Sequence, residues 1–319
     1  MKKLSFVIPC YGSELTIESV IDEINSIMNQ RSEFYSYEII CINDYSPDDV
    51  LNVLKVLSVK QSNLTIVSLA RNSGKHAAVM AGYSLVNGDY IVNLDDDGQC
   101  PVDKLWEMIY ELERGFDIVT AKYTKKQQSA FKNFGSIIND YMARLMIGKP
   151  KGVRFENFSI IQRFIVDEIL KYKNPYPYLE GLLFRTTNNI TSVKMNERER
   201  FAGVGGFTLR KSLSLWLNGF TSFSIKPLRV ATVVGSLMAM LGFIFAIFII
   251  IRNILYGSAI IGWASTAIMI LFFNGITLML LGLVGEYIGR IYISINNSPQ
   301  YVIREVIKSF DRYEDSDLL

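Results

Sequence analysis

The chain has 319 residues, 50% of them hydrophobic, which is enough for one large or two modest domains and too apolar for a disordered protein. Lys plus Arg total 33 against 31 for Asp plus Glu, and the resulting net charge of +2 excludes a nucleic-acid binder that works by bulk electrostatics. Cys10, Cys41 and Cys100 have neither zinc-site spacing nor a disulfide framework, so a reducing cytoplasm is expected.

The apolar run 4–8 that follows Met1, Lys2 and Lys3 is too short for a signal peptide and meets Pro9 at once, so it reads as a first strand. Similar Val- and Ile-rich runs at 38–42, 64–69 and 90–94 alternate with helical patterns, the signature of a parallel α/β sheet, and 117–121 reads as a fifth strand. In the first helix Ile17, Val20, Ile21, Ile24, Ile27 and Met28 recur on one face and form core. Further helices are expected over 48–60, 75–86 and 101–114. Beyond residue 206, Phe207, Leu213, Trp216 and Phe220 are interleaved with Arg210 and Lys211, as in an interfacial amphipathic helix or one packed on the globular domain. Segments 230–251 and 260–285 carry no charge, and each exceeds the about 20 residues needed to span a hydrocarbon core of ~30 Å. The short linker 252–259 makes them a hairpin. Arg210, Lys211, Lys226, Arg229, Arg290 and Arg304 flank that hairpin against Arg252 alone in the linker, so the positive-inside rule puts the bulk of the chain in the cytoplasm. Two buried helices of a soluble protein are the alternative, although such helices rarely run so long without charge. Asn274 within the second span marks helix contact or function, and Glu286 sits at the cytoplasmic end, where water is near.

Open α/β sheets receive ligands at the carboxyl ends of their strands, and here those ends are polar four times over. After the first strand stand Pro9, Cys10, Tyr11, Gly12, Ser13 and Glu14; after the second, Asn43, Asp44, Tyr45, Ser46 and Asp48. Arg71, Asn72, Ser73, Gly74 and Lys75 follow the third, and Asp95, Asp96, Asp97, Gly98 and Gln99 the fourth. Four such loops in register imply one shared site. Three adjacent carboxylates repel unless a cation is present, and Mg²⁺ or Mn²⁺, held by one or two carboxylates plus substrate phosphates, suits a nucleoside diphosphate; a solvated acidic turn is the bland alternative. If the strand continues, Asp95 and Asp97 share one side and Asp96 takes the other. No dinucleotide fingerprint or phosphate loop follows any strand. Asp44 is suited to a base ring or to a turn, Arg71 and Lys75 to phosphate or to solvent, and the lone His76 to structure or the substrate edge.

These loops, with Thr221 to Ser224, Pro227 to Arg229 and Gly285 to Tyr292, resemble family 2 glycosyltransferases across nearly the whole chain, and among them the polyprenyl-phosphate glycosyltransferases related to dolichol-phosphate mannose synthase. The resemblance implies a GT-A fold, a mainly parallel sheet flanked by helices, followed by a two-helix transmembrane hairpin. It implies a nucleotide-sugar donor, UDP-linked by expectation, and inversion at the anomeric carbon. A divalent metal is implied on Asp95 and Asp97, with Gln99 beside it and Pro9, Tyr11, Glu14, Asp44, Lys75 and Asp96 on the donor side. The expected division is a cytoplasmic catalytic domain over 1–206, an interfacial region over 207–227, the membrane hairpin over 228–286 and a cytoplasmic tail over 287–319, in the bacterial inner membrane. Relatives assemble through their membrane segments, which leaves a homo-oligomer open.

Where relatives carry an Arg pair after the fifth strand, this chain has Lys122 and Lys125, which keep the charge but lose bidentate phosphate geometry. Gly205 and Gly206 stand where relatives often show a Ser and a basic residue, so phosphate contacts there fall to Arg198, Arg200 or backbone amides. Segment 155–159 replaces a stretch richer in Asp and Gly. Undecaprenyl phosphate is the expected acceptor, and an ionised phosphate needs a cationic cradle of Lys122, Lys125, Arg198 and Arg200 rather than a general base, for which Glu156 is the candidate. The competing readings are a transferase that elongates a glycolipid or polysaccharide, and an inactive membrane scaffold, against which Asp95 and Asp97 stand intact.

Overall fold

A computed structural model of the protein describes residues 1–123, 155–196, 198, 226–256, 262–296 and 298–308. The chain divides into two compact units, one of Met1–Ser212 with Asn297–Leu319 and one of Leu213–Asn296.

The first unit is built on β1 (Lys2–Cys10), α1 (Ile17–Asn29), β2 (Tyr35–Asn43), α2 (Val50–Lys60), β3 (Leu64–Leu69), α3 (Lys75–Tyr83), β4 (Tyr90–Asn93), α4 (Leu105–Glu113), β5 (Ile118–Tyr123), β6 (Ser159–Gln162), α5 (Arg163–Ile169), α6 (Leu179–Thr186), β7 (Ile190–Met195) and β8 (Ile303–Lys308). One eight-stranded sheet runs in the order β7-β5-β6-β4-β1-β2-β3-β8. Its centre, β4-β1-β2-β3, is parallel as the alternating pattern requires, while β6 and β8 pair antiparallel. The mainly parallel α/β expectation holds. Strands β1 and β2 are nearly continuous in apolar residues because both of their faces are covered. Ile17, Val20, Ile21, Ile24 and Met28 of α1 and Leu105, Met108, Ile109 and Leu112 of α4 close one face over Phe6, Ile8 and Ile39. Ala77, Ala78, Ala81 and Gly82 of α3 are buried, and a Cβ at Gly82 would stand 2.6 Å from Val7 Cγ1.

The second unit contains α7 (Lys226–Tyr256) and α8 (Trp263–Ile295). Leu237, Leu241, Ile244 and Phe248 on α7, and Leu278, Met279 and Leu281 on α8, are large apolar side chains left exposed, more than a water-soluble helix pair carries. Among the described residues one stretch, Phe272–Ile295 of 24 residues, is long and apolar enough to cross a membrane, and Ala231–Ile244 is apolar but shorter. The segments 230–251 and 263–285 of the expected spans lie within α7 and α8. Arg252, expected in a linker, belongs to α7, and residues 257–261 lie outside the described residues. The expected interfacial helix also falls outside them, apart from the start of α7. The expected tail becomes the last turns of α8 and then the edge strand β8.

Candidate active site

Strand β1 is the switch point of the parallel centre: the chain runs outward through β2 and β3 on one side, and β4 lies on the other. A crevice opens between the loops of two such strands because their connections leave in opposite directions. The Tyr11 amide donates across it to Asp96 Oδ2 at 2.9 Å, and the Thr16 hydroxyl donates to the Asp96 carbonyl at 2.6 Å.

Strand β4 ends at Asn93, so Asp95, Asp96 and Asp97 occupy a turn, closed by Gly98 at φ +77°, and the expected strand alternation does not apply. Asp96 turns inward. Burial raises its carboxyl to about 6, although the Tyr11 amide works against that rise. Asp95 accepts from the Lys75 ammonium and the Asn157 amide, and Asp97 accepts from the backbone amide of Gln99 at 3.1 Å. The Gln99 side chain in turn donates to the Arg198 carbonyl at 3.2 Å.

The other loops are held by carboxylates that accept backbone amides. Asp44 takes the amides of Ser73 at 2.7 Å and Gly74 at 2.9 Å, so it anchors the loop that launches α3. Burial lifts its carboxyl above the ordinary value against those two bonds. Glu14 accepts the Asp49 amide at 2.9 Å, at the start of α2, while its own amide donates to Asp48 at 2.9 Å. Of the expected donor-side residues, Asp44, Glu14 and Asp96 thus spend carboxylate oxygens on the protein's own backbone. Pro9, Lys75 and Asp95 line a small cavity of about 40 Å³ together with His76, Asn157 and Glu180. Asn157 and Glu180 carry no motif that marks them, and only the fold brings them to Asp95. A larger open groove, about 620 Å³, is lined by Arg31, Trp106, Tyr110 and Val193 and by none of these residues.

The expected phosphate cradle is only partly described. Lys122 is exposed at the end of β5, while Lys125 and Arg200 lie outside the described residues. The Arg198 guanidinium pairs with Glu23 at 2.7 Å and with Asp103, so its charge is already answered in this structure. The Glu156 amide donates to Thr120 Oγ1 at 3.0 Å.

Among the described residues no group of three or more His, Cys, Asp or Glu side chains converges as a metal cage. Asp95 and Asp97 offer oxygen ligands alone, and Cys100 stays a thiol because burial, and then the charge of Asp95, pushes it up to about 12. Two carboxylates without a full cage fit a hard divalent cation that completes its shell with substrate phosphate oxygens, and they do not fit a soft one.

A family profile described as Glycosyl transferase family 2 matches residues 5–170, and one described as GtrB C-terminal hairpin matches residues 226–291. The chain is 32% identical over 304 residues to the uncharacterized glycosyltransferase YkcC of Bacillus subtilis, covering 94% of this chain and 93% of that one. It is 31% identical to the SfII prophage-derived bactoprenol glucosyl transferase of Shigella flexneri, over 95% of this chain and 98% of that protein. The undecaprenyl-phosphate 4-deoxy-4-formamido-L-arabinose transferase of Yersinia pestis is 28% identical over 100% of the chain and 98% of its own length. Among solved structures, glucosyl-3-phosphoglycerate synthase of Mycobacterium tuberculosis, in complex with Mn²⁺ and UDP-glucose, superposes with a TM-score of 0.50 at 18% identity, over 69% of this chain and 77% of that one, a likeness of fold.

Proposed function

The chain belongs to glycosyltransferase family 2, and from that membership we propose that it moves a sugar from a nucleoside-diphosphate donor, UDP-linked by expectation, onto a polyprenyl phosphate such as undecaprenyl phosphate. The observation that carries this acceptor is the reach of the likeness. It runs through the sheet and through the helices after it, into relatives whose names specify bactoprenol or undecaprenyl phosphate. An acceptor with a long apolar tail stays in the membrane, and α7 and α8 give the enzyme exposed apolar helices to share that phase. By the cation asymmetry around them, both helices cross the inner membrane and the sheet lies on the cytoplasmic side.

The chain's own residues then divide the work. Asp96, Asp44 and Glu14 fix the loops around the crevice, and Lys75 holds a positive charge beside Asp95. Asp95 and Asp97 would hold Mg²⁺ or Mn²⁺, which would supply neutralising charge for the diphosphate leaving group. A lipid phosphate arrives largely ionised, its second pKa near ~6, so the acceptor needs positioning more than deprotonation. Lys122, Lys125 and Arg200 provide that cradle, and Arg198 joins it by exchanging Glu23 and Asp103 for the phosphate.

The test is incubation of the purified full chain with a panel of nucleotide-sugars and undecaprenyl phosphate, followed by analysis for lipid-linked sugar. Asp97→Asn and a strong chelator each remove nearly all product, while the Asp97→Asn protein unfolds at the wild-type temperature; full turnover in chelator would sink the metal assignment. Arg200→Ala costs far more than Glu156→Gln, and the reverse order ends the base-free mechanism. A second reading, elongation on a sugar hydroxyl, is favoured by Glu180, a carboxylate lining the same cavity as Asp95. Under that reading Glu180→Gln abolishes transfer, and a glycolipid replaces undecaprenyl phosphate as the acceptor used.

A further inference from the structure

Tyr45 is the single non-glycine residue among the described residues with a positive φ, +52°. In that left-handed region a Cβ crowds the following carbonyl, a strain that glycine avoids and asparagine lessens. Packing does not repay it, because Tyr45 is 53% exposed.

The backbone around Tyr45 is pinned on every side. The Asp44 amide donates to the Cys10 carbonyl at 3.1 Å, and the Ser46 amide donates to Asn43 Oδ1 at 3.0 Å. The Gly12 amide donates to Ser46 Oγ at 2.8 Å. Strained residues persist where their surroundings over-determine them, and they cluster where a ligand is held. Tyr11 occupies the matching place on the loop after β1. Cys10 and Asn43 are partners in register, and the Asp44–Cys10 and Gly12–Ser46 bonds fall on either side of the two tyrosines. Tyr11 is 55% exposed. Two open phenol rings therefore stand on neighbouring loops at the carboxyl ends of adjacent parallel strands, where such sheets receive ligands. Isolated exposed aromatics are ordinary. A strained one, locked beside a second one at a crevice, is not.

We infer that Tyr45 is the stacking platform for the base of the nucleoside diphosphate donor, and that the strain at residue 45 is retained because a ring is needed there. The inference rests on the nucleotide-sugar donor proposed above and adds to it the residue that meets the face of the base. Stacking tolerates any base, since every base has a π-face, so Tyr45 supplies affinity and leaves the choice of base to other groups.

The experiment is titration of the purified full chain with UDP, with GDP and with inorganic pyrophosphate, which has no base, for wild type and for Tyr45→Gly, Tyr45→Asn and Tyr45→Phe. Tyr45→Gly and Tyr45→Asn weaken binding of the preferred nucleotide by about tenfold, within what base–aromatic stacking is worth, and leave pyrophosphate binding unchanged. Tyr45→Phe binds within about twofold of wild type, because the ring is kept. Tyr45→Gly also raises the unfolding temperature, since the strain is gone. Wild-type nucleotide affinity in Tyr45→Gly and Tyr45→Asn overturns the inference and leaves the donor reading standing. Equal loss of nucleotide and pyrophosphate binding overturns it too, because the residue would then act through loop shape. A wild-type chain that binds neither nucleotide overturns both.

Discussion

His76 follows the first residue of α3, with the Tyr178 ring edge-on at 5.6 Å between centroids. Burial, and then the charge of Lys75, holds its imidazole down to about 4 from an ordinary 6.5. Across that interval the unfolded chain takes up a proton that the folded one refuses, so this contribution is complete above 6.5 and is lost as pH falls toward 4. His76→Gln should therefore flatten the decline in urea midpoint between about pH 7 and about pH 5, and parallel curves for the two proteins would show that the imidazole does not stay neutral. The same residue illustrates what one sequence can carry. A lone histidine beside a lysine is compatible with structure or with a substrate edge, and its position in the cavity with Asp95 and Glu180 depends on α6, whose approach no local pattern announces.

Among the elements, α3 ties the core to the site most directly, because it starts at Lys75 and buries Gly82 against β1 and β2. A Cβ at Gly82 would meet Val7 Cγ1 at 2.6 Å and Ile42 Cδ1 at 2.8 Å. Val7 is fully buried and stiff at χ1, so it cannot swing aside. Gly82→Ala should cost roughly 1–3 kcal/mol and lower the thermal midpoint, with donor affinity falling as the start of α3 shifts. An unchanged midpoint would mean that the helix lifts from the sheet without penalty. Helix α1 was legible because its apolar residues repeat every three to four positions, whereas β6 to β8 were not. Each of the three is short, and β8 is separated from its partner β3 by more than two hundred residues of chain, so only the finished sheet identifies it as a strand.

For the molecule as a whole, membrane topology is the property most open to test. Cys10, Cys41 and Cys100 are buried, so an introduced cysteine gives a clean signal. Ser258→Cys, outside the described residues, should react with an impermeant maleimide in intact cells, and Arg304→Cys, on the exposed face of β8, only after the membrane is breached. Protection at both positions would mean that α8 does not cross, because residues 258 and 304 lie on either side of it in the chain and would then share the cytoplasmic side. Labelling of Arg304→Cys in intact cells would reverse the sidedness.

The sequence by itself determined the parallel α/β class, the four polar loops and the two long charge-free runs. Those features are written in local periodicity, in strand-end composition and in runs longer than a core helix needs. It also suggested a cation among Asp95, Asp96 and Asp97, since adjacent carboxylates repel, and the family resemblance narrowed that expectation to Asp95 and Asp97. Only the tertiary structure decided what each polar residue faces. Asp96 became a brace across the crevice because β4 stops at Asn93 and the triplet turns. Asp44 and Glu14 became anchors because loops from separate strands leave backbone amides that must be paired once buried. Arg198, read as a phosphate ligand from its charge, meets Glu23 and Asp103, which lie far from it in sequence. Composition shows that a charge is present, but its partner is chosen by which strands and helices come to lie together.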